Sequence, residues 1–200
     1  MPRSMTVPQS RRRGEELEHA VYAATLAELT DSGYGGLTME GIAARARTGK
    51  AALYRRWPGK HPLVVDAMRH AMPPLPQPRA NRPARQNLMA IFAAHCDVLA
   101  GKTDFPHLDI VGQLVHEPEL RAIFAEEFIA PRLAAIETIL RGAEARGEVA
   151  AGSVTPLTAR IGPALIVQHF LLTGKPPTRR DLTRIIDTLL PRLIAAGGGD

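Results

Sequence analysis

Residues 38–57, TMEGIAARARTGKAALYRRW, decide how this 200-residue chain is read. The stretch predicts two short helices joined by a tight turn. Thr38 has the short hydroxyl side chain that accepts a hydrogen bond from an open backbone N–H at a helix start. Ile42, Ala43 and Ala46 lay a small apolar stripe along the first helix. Arg47-Thr48-Gly49 makes a turn, and Leu53 and Trp57, four residues apart, share one face of the second helix. From Arg45 to Lys60 there are six cations (Arg45, Arg47, Lys50, Arg55, Arg56, Lys60) and no carboxylate. An apolar inner face beneath an unopposed positive outer face suits a helix that enters a phosphate-lined groove. The same pattern also describes a helical hairpin whose basic face is simply solvated.

Upstream, residues 1–13 read as a disordered basic arm carrying Arg11–Arg13. A first helix is expected from about Gly14 to Ser32, with Leu17, Val21, Ala24 and Leu29 inward and Gly33 as its stop. Glu15, Glu16 and Glu18 then fall in its first turn, where the helix dipole favours carboxylates. Downstream, a fourth helix is expected from about Gly59 to Met72, ending at Pro73-Pro74. Residues 73–83 hold five prolines and read as a stiff linker, which separates a domain over 14–72 from a second over 84–200.

Beyond the linker the pattern is helical again, and no alternating β-branched run suggests a strand. Leu88, Ile91, Phe92, His95 and Leu99 share a face over 84–100, closed by Gly101. A shorter helix is expected from His107 to Val115. Residues 118–146 read as one amphipathic stretch that Pro131 must kink or split. Thr155-Pro156 is an N-cap and N1 pair for a helix ending at Gly174, and a last helix is expected from about Thr178 to Ala196. These final two helices carry Ile161, Leu165, Phe170, Leu171, Leu172, Leu182, Ile185, Ile186, Leu189, Leu190 and Leu193. That is more apolar surface than packing on their own domain needs; ordinary core is the plainer reading, and an interface between subunits is the one expected there. The fold class is all-α.

The net charge of +5 is unevenly placed: residues 1–72 hold 11 Lys/Arg against 7 Asp/Glu, the rest 14 against 13. The basic excess therefore gathers where nucleic acid would be met. A single cysteine, Cys96, allows no intramolecular disulfide and fits a reducing compartment. No signal-peptide core stands at the N-terminus, and the most apolar run, Ala164–Leu172, is too short to span a bilayer. A cytoplasmic protein without a membrane role is expected. No HExxH, paired cysteine, phosphate loop or GxSxG occurs, so no catalytic residue, metal ligand or cofactor is expected.

The run Leu37-Thr38-Met39, Ile42-Ala43, Ala46, Lys50, Leu53-Tyr54, Trp57, Lys60 and Leu63, preceded by Val21, Ala23-Ala24, Leu29 and Gly33, resembles the N-terminal domain of the TetR family of bacterial repressors. The resemblance covers about residues 15–70, and residues 155–193 more loosely resemble the C-terminal half of one TetR subgroup. It departs at two positions: the family usually has glycine where this chain has Arg47, and serine or threonine where it has Gly49. It implies a three-helix helix-turn-helix domain followed by a helical ligand-binding and dimerisation domain.

Carried over residue by residue, the resemblance places Thr38, Arg47, Gly49, Lys50, Ala51, Ala52, Tyr54, Arg55 and Lys60 at the DNA. Thr38, Lys50 and Tyr54 would contact phosphates, and Lys60, at a helix start, would favour an anion. Arg47, Ala51, Ala52 and Arg55 would face bases, since arginine grips a guanine edge and alanine packs on a thymine methyl. Arg11–Arg13 would reach the minor groove. The implied partners are double-stranded DNA with a palindromic operator, a small-molecule effector, and a second copy bound through the last two helices. Phe92, His95, Cys96, Gln113, His116, Phe124, Phe128 and His169 are the candidates to line an effector pocket, where apolar walls carry a few polar groups. Phe92, Phe124 and Phe128 lie at helical spacing, which is first of all the mark of core, and His95 and His169 fit satisfied interior or boundary positions. The alternative is a helical binding protein or enzyme without a DNA role. Adjacent His95 and Cys96 point about 100° apart on a helix, which argues against an activated nucleophile.

Overall fold

The structure is a computed structural model that describes the backbone of residues 9–195 and the side chains of 14–106 and 109–190. Every regular element among the described residues is helical. The chain divides into two compact units, and the division does not follow the linear order: residues 108–121 belong with the N-terminal unit, and 73–107 with the C-terminal one.

The first unit is built on α1 (Gln9–Gly36), α2 (Met39–Arg45), α3 (Lys50–Tyr54) and α4 (Lys60–Ala71). Helix α1 begins five residues before the expected start, so the stretch read as an arm is helical from Gln9. Arginine is a good helix former, and Arg11–Arg13 carry no breaker between them. Their side chains, and residues 1–8 altogether, lie outside the described residues. The helical path breaks at Gly33 (φ 69°, ψ 173°), a left-handed conformation that glycine adopts without steric cost. Val21, Ala24, Leu29, Leu37, Ile42, Leu53, Trp57, Leu63, Val64 and Met68 form the core of this unit.

Segment 108–121, expected in the second domain, is held to α1 by two side chains. Gln113 Nε2 donates to the Leu29 carbonyl at 2.9 Å, and Glu117 Oε1 accepts from the Gly35 N–H at 3.3 Å. Both serve backbone groups at the broken C-terminal end of α1. The segment contains most of α6 (His107–Gln113) and the start of α7 (Pro118–Phe124).

The second unit contains α5 (Ala84–Leu99), α8 (Ala130–Ala145), α9 (Pro156–Thr173) and α10 (Arg179–Ala195) around one core that includes Leu88, Phe92, Ile136, Leu140, Ile166 and Ile186. The long stretch over 118–146 is interrupted as its proline requires, but ahead of Pro131 and by a π-helical turn, Ala125–Ile129. Pro131 has no N–H to continue the α pattern, and the Ala130 N–H reaches back five residues to the Ala125 carbonyl. Thr155 and Thr158 form a reciprocal capping box at the start of α9, which ends at Gly174 (φ 68°). A Cβ at Gly162 would run into the Phe92 ring, so glycine there lets α9 approach α5. The end of the stretch 73–83 is also fastened by a side chain. Buried Asn87 accepts from Arg79 N–H and donates to the Arg79 and Arg82 carbonyls, fastening their end to α5.

Candidate nucleic-acid interface

The motif starts where the side chain of Thr38 caps α2, accepting from the Gly41 N–H at 3.0 Å. Helix α2 turns Met39, Ile42 and Ala43 inward. The chain then reverses through Arg47 (φ 51°), the one non-glycine residue with positive φ among those described, and the Thr48 N–H bonds the Ala43 carbonyl at 3.0 Å. Left-handed backbone costs an L-residue roughly 1–2 kcal/mol. The glycine usual at this position in the TetR family would carry no such strain; here an arginine side chain is presented instead.

Five residues are too few for α3 to be stable by itself, and its position comes from two anchors. Leu53 is 1% exposed and Trp57 4%. The Trp57 indole N–H donates to Asp66 Oδ2 at 2.9 Å on α4, and its ring meets Tyr22 of α1 edge-on at 5.7 Å between centroids. With that face fixed, Lys50, Ala51, Tyr54 and Arg55 are exposed on the other, together with Arg47 and Gly49 in the turn and Thr38 at the cap. Ala52 is half-buried. Gly49 caps α3 without a side-chain hydrogen bond, and the space around it would admit a Cβ.

The electrostatics differ from the unopposed surface that the local sequence suggests. Arg45 pairs with Glu28 at 2.9 Å and Asp31 at 2.6 Å, Arg56 with Glu18 at 3.2 Å, and Lys50 with Glu40. The Glu40 bond pushes the Lys50 ammonium pKa up, and in return holds the Glu40 carboxyl below its ordinary range. Glu18 also accepts from the Tyr22 hydroxyl at 2.9 Å, so it is part of the scaffold rather than a first-turn carboxylate. Burial, with the Glu18 bond second, pushes the Tyr22 hydroxyl far up. Lys60, expected to wait for a phosphate, donates to the Tyr34 carbonyl at 2.8 Å and lies 4.5 Å from the centre of the Tyr34 ring. It occupies a carbonyl near the end of α1. Of the six cations, Arg47 and Arg55 alone make no ion pair or side-chain hydrogen bond within the described residues. The four opposing carboxylates lie 10 to 38 residues upstream of their partners, so a window on 45–60 could not reveal them.

The effector candidates do not gather in one place. Gln113 and His116 belong to the first unit, where Gln113 serves α1. In the second unit Phe92 is wholly buried against Gly162, a packing position. Cys96 is buried, and that burial pushes its thiol up to about 11, so it is unreactive near neutral pH. His95 and His169 are half-buried. Phe124 and Phe128 stack at 5.7 Å and are joined by Phe105, which periodicity gave no means of finding because it lies in a loop. Within the first unit a polar cleft of about 410 Å³ between α1 and α4 is lined by Glu18, His19, Tyr22, Asp66 and His70, none of them an expected effector residue.

The apolar side chains of the last two helices divide by role. Leu182, Ile186 and Leu189 of α10, with Phe170 of α9, are buried in their own unit. Leu157, Ile161, Leu165, Leu171 and Leu172 of α9 are exposed, Leu171 and Leu172 by 72% and 79%. At about 100° per residue these five lie within one arc of roughly 120°. Leu193 lies outside the described side chains. Among the described residues no helix is long and apolar enough to cross a membrane.

Comparison with known proteins matches residues 21–67 to the model for bacterial regulatory proteins of the tetR family, and residues 82–189 to that for the tetracyclin repressor-like C-terminal domain. An uncharacterized HTH-type transcriptional regulator of Mycobacterium tuberculosis is 28% identical over 182 residues, 90% of each chain. A DNA-binding transcriptional repressor, TetR, of Mycobacteroides abscessus is 25% identical over 92% of this chain and 97% of that one. The solved structure of the flavonoid-responsive regulator FrrA shares the fold with a TM-score of 0.67, at 18% identity over 92% of this chain and 97% of that one.

Proposed function

The chain belongs to the TetR family of helix-turn-helix transcriptional regulators, and on that footing we propose that it is a homodimeric repressor of a short palindromic operator, released when a small-molecule effector binds the second unit. The observation that carries the DNA reading is the pair of uncommitted, exposed arginines, Arg47 and Arg55, at either end of a five-residue helix fixed by Leu53 and Trp57. Arginine reads guanine O6 and N7 with two parallel bonds. Lys50, Tyr54 and Thr38 supply phosphate contacts that set register without reading sequence. Lys50 must exchange Glu40 for a phosphate, which keeps its contribution small.

One such helix buries too little surface for useful affinity, and twofold symmetry doubles the contact. The exposed apolar row on α9 supports a second copy as the partner, because a helix apolar on both faces is uncovered when alone. Repression is supported by the function named for the Mycobacteroides relative, and effector response by that named for FrrA. A cytoplasmic location goes with action on DNA. Selection of bound duplexes from a random library at two salt concentrations tests the reading. A palindrome that persists at the higher salt is expected; sequence-independent binding that vanishes with salt would overturn it.

A further inference from the structure

Arg132 differs from the paired arginines of the second unit. Arg85 pairs with Asp187, Arg141 with Glu137 and Glu144, and Arg146 with Glu148, all near the surface. Arg132 is half-buried in the first turn of α8 and makes no ion pair with any described residue. Among the described residues its one hydrogen bond runs from Nη1 to the Phe128 carbonyl at 2.6 Å. A guanidinium has five N–H donors and stays charged at any pH at which proteins fold. Burial lowers its proton affinity, and no carboxylate among the described residues offsets that burial. A partly buried cation with no counter-charge is unfavourable until an anion joins it.

Its surroundings are equally particular. The carbonyl it holds belongs to the residue whose ring closes the Phe105–Phe124–Phe128 cluster, with centroids 5.7 to 6.4 Å apart. That carbonyl lies in the π-helical turn ahead of Pro131, and such turns recur at functional sites. One cation, bonded to the backbone carbonyl of a residue in that cluster, balances one negative charge, which favours a monoanion over a doubly charged phosphate.

We propose that Arg132 anchors the carboxylate of a small ligand whose alkyl or aryl body lies beside the Phe105–Phe124–Phe128 cluster. This deepens the effector reading and rests on the second unit as the ligand-binding part. The guanidinium fork takes a carboxylate with two parallel hydrogen bonds. The apolar body gains from contact with the aromatic side chains.

The test is calorimetric titration of the full chain, free of DNA, with decanoate and 2-naphthoate, beside the neutral analogues decanol and 2-naphthamide. At least one carboxylate is expected to bind about 10- to 100-fold tighter than its neutral analogue, as for hydrogen bonds to a charged group. R132M should lose that preference. R132K, which keeps the charge without the fork, should bind the carboxylate measurably more weakly than wild type. The proposal is overturned if neither carboxylate outbinds its analogue, or if R132M retains the preference. Should R132M fail to fold, R132K decides: affinity equal to wild type overturns it. Because DNA is absent from the titration, failure of operator binding leaves the result readable. A carboxylate that binds through Arg132 yet leaves DNA affinity unchanged would remove the effector reading and keep the site.

Discussion

The surface around α3 and the outer face of α9 are opposite in chemistry and alike in logic. Around α3, carboxylates from α1 and α2 neutralise Arg45, Lys50 and Arg56, Lys60 serves the end of α1, and two arginines are left over. On α9, Ala159, Gly162, Ile166 and Phe170 complete the core of the second unit, and a row of leucines and an isoleucine is left over. In each region the residues that fold the unit are matched within it. What remains unmatched, positive charge in one and apolar area in the other, is what the proposed partners, DNA and a second copy, would meet. Counting cations or leucines along the chain misses this distinction.

The comparison can be broken most forcefully at α9. The double variant L165E/L172E should yield a monomer by analytical ultracentrifugation and lower operator affinity about 100-fold or more, through loss of the second half-site. Both side chains are exposed within the chain, so the thermal unfolding temperature of the folded unit should change little. A dimer that survives both charges would place the interface elsewhere. A smaller effect is expected at the matched cations. K50A should weaken binding to all duplexes alike, by roughly tenfold or less, and reduce the salt slope by about 1; a changed base preference would show that Lys50 reads sequence. Y54F should act in the same uniform way and more weakly.

Smaller still are the two turn positions. R47G relieves left-handed strain while restoring glycine's entropy in the unfolded chain, so stability should rise by up to about 1 kcal/mol. Urea unfolding checks this, and the same variant should lose affinity for DNA. If stability fell, the side chain of Arg47 would be a structural element after all. G49S should add a cap to α3 for a few tenths of a kcal/mol, since Gly49 has room for a side chain. Unchanged stability would mean that the cap geometry does not admit the hydroxyl.

Local rules brought the reading a long way where local forces decide. The Thr38 cap, the Leu53–Trp57 pair, the Thr155-Pro156 start and the Gly174 stop all act within a turn of helix, and all are present. The misreadings lie where a side chain answers a distant group. Glu18 reaches Arg56 across 38 residues, and Gln113 reaches the Leu29 carbonyl across 84. Hydrophobic periodicity records which face is inward, and says nothing of which carboxylate meets which arginine. The same limit hid how the stiff stretch 73–83 is fastened, because the residue that holds its end, Asn87, is a buried amide on an otherwise apolar face. The π-helical turn was signalled by Pro131, but a proline marks the loss of one hydrogen bond without saying which neighbouring carbonyl rearranges.

In the function proposed above, the uncommitted arginines read sequence while the paired cations only position the helix. The most direct test is the affinity of wild type and R55A for the selected operator and for a scrambled duplex of the same composition, at two salt concentrations. R55A should lose about 1–3 kcal/mol on the operator and little on the scrambled duplex, so that discrimination collapses while the salt slope is nearly kept. An equal loss on both duplexes, with a reduced slope, would contradict it and make Arg55 one more phosphate contact.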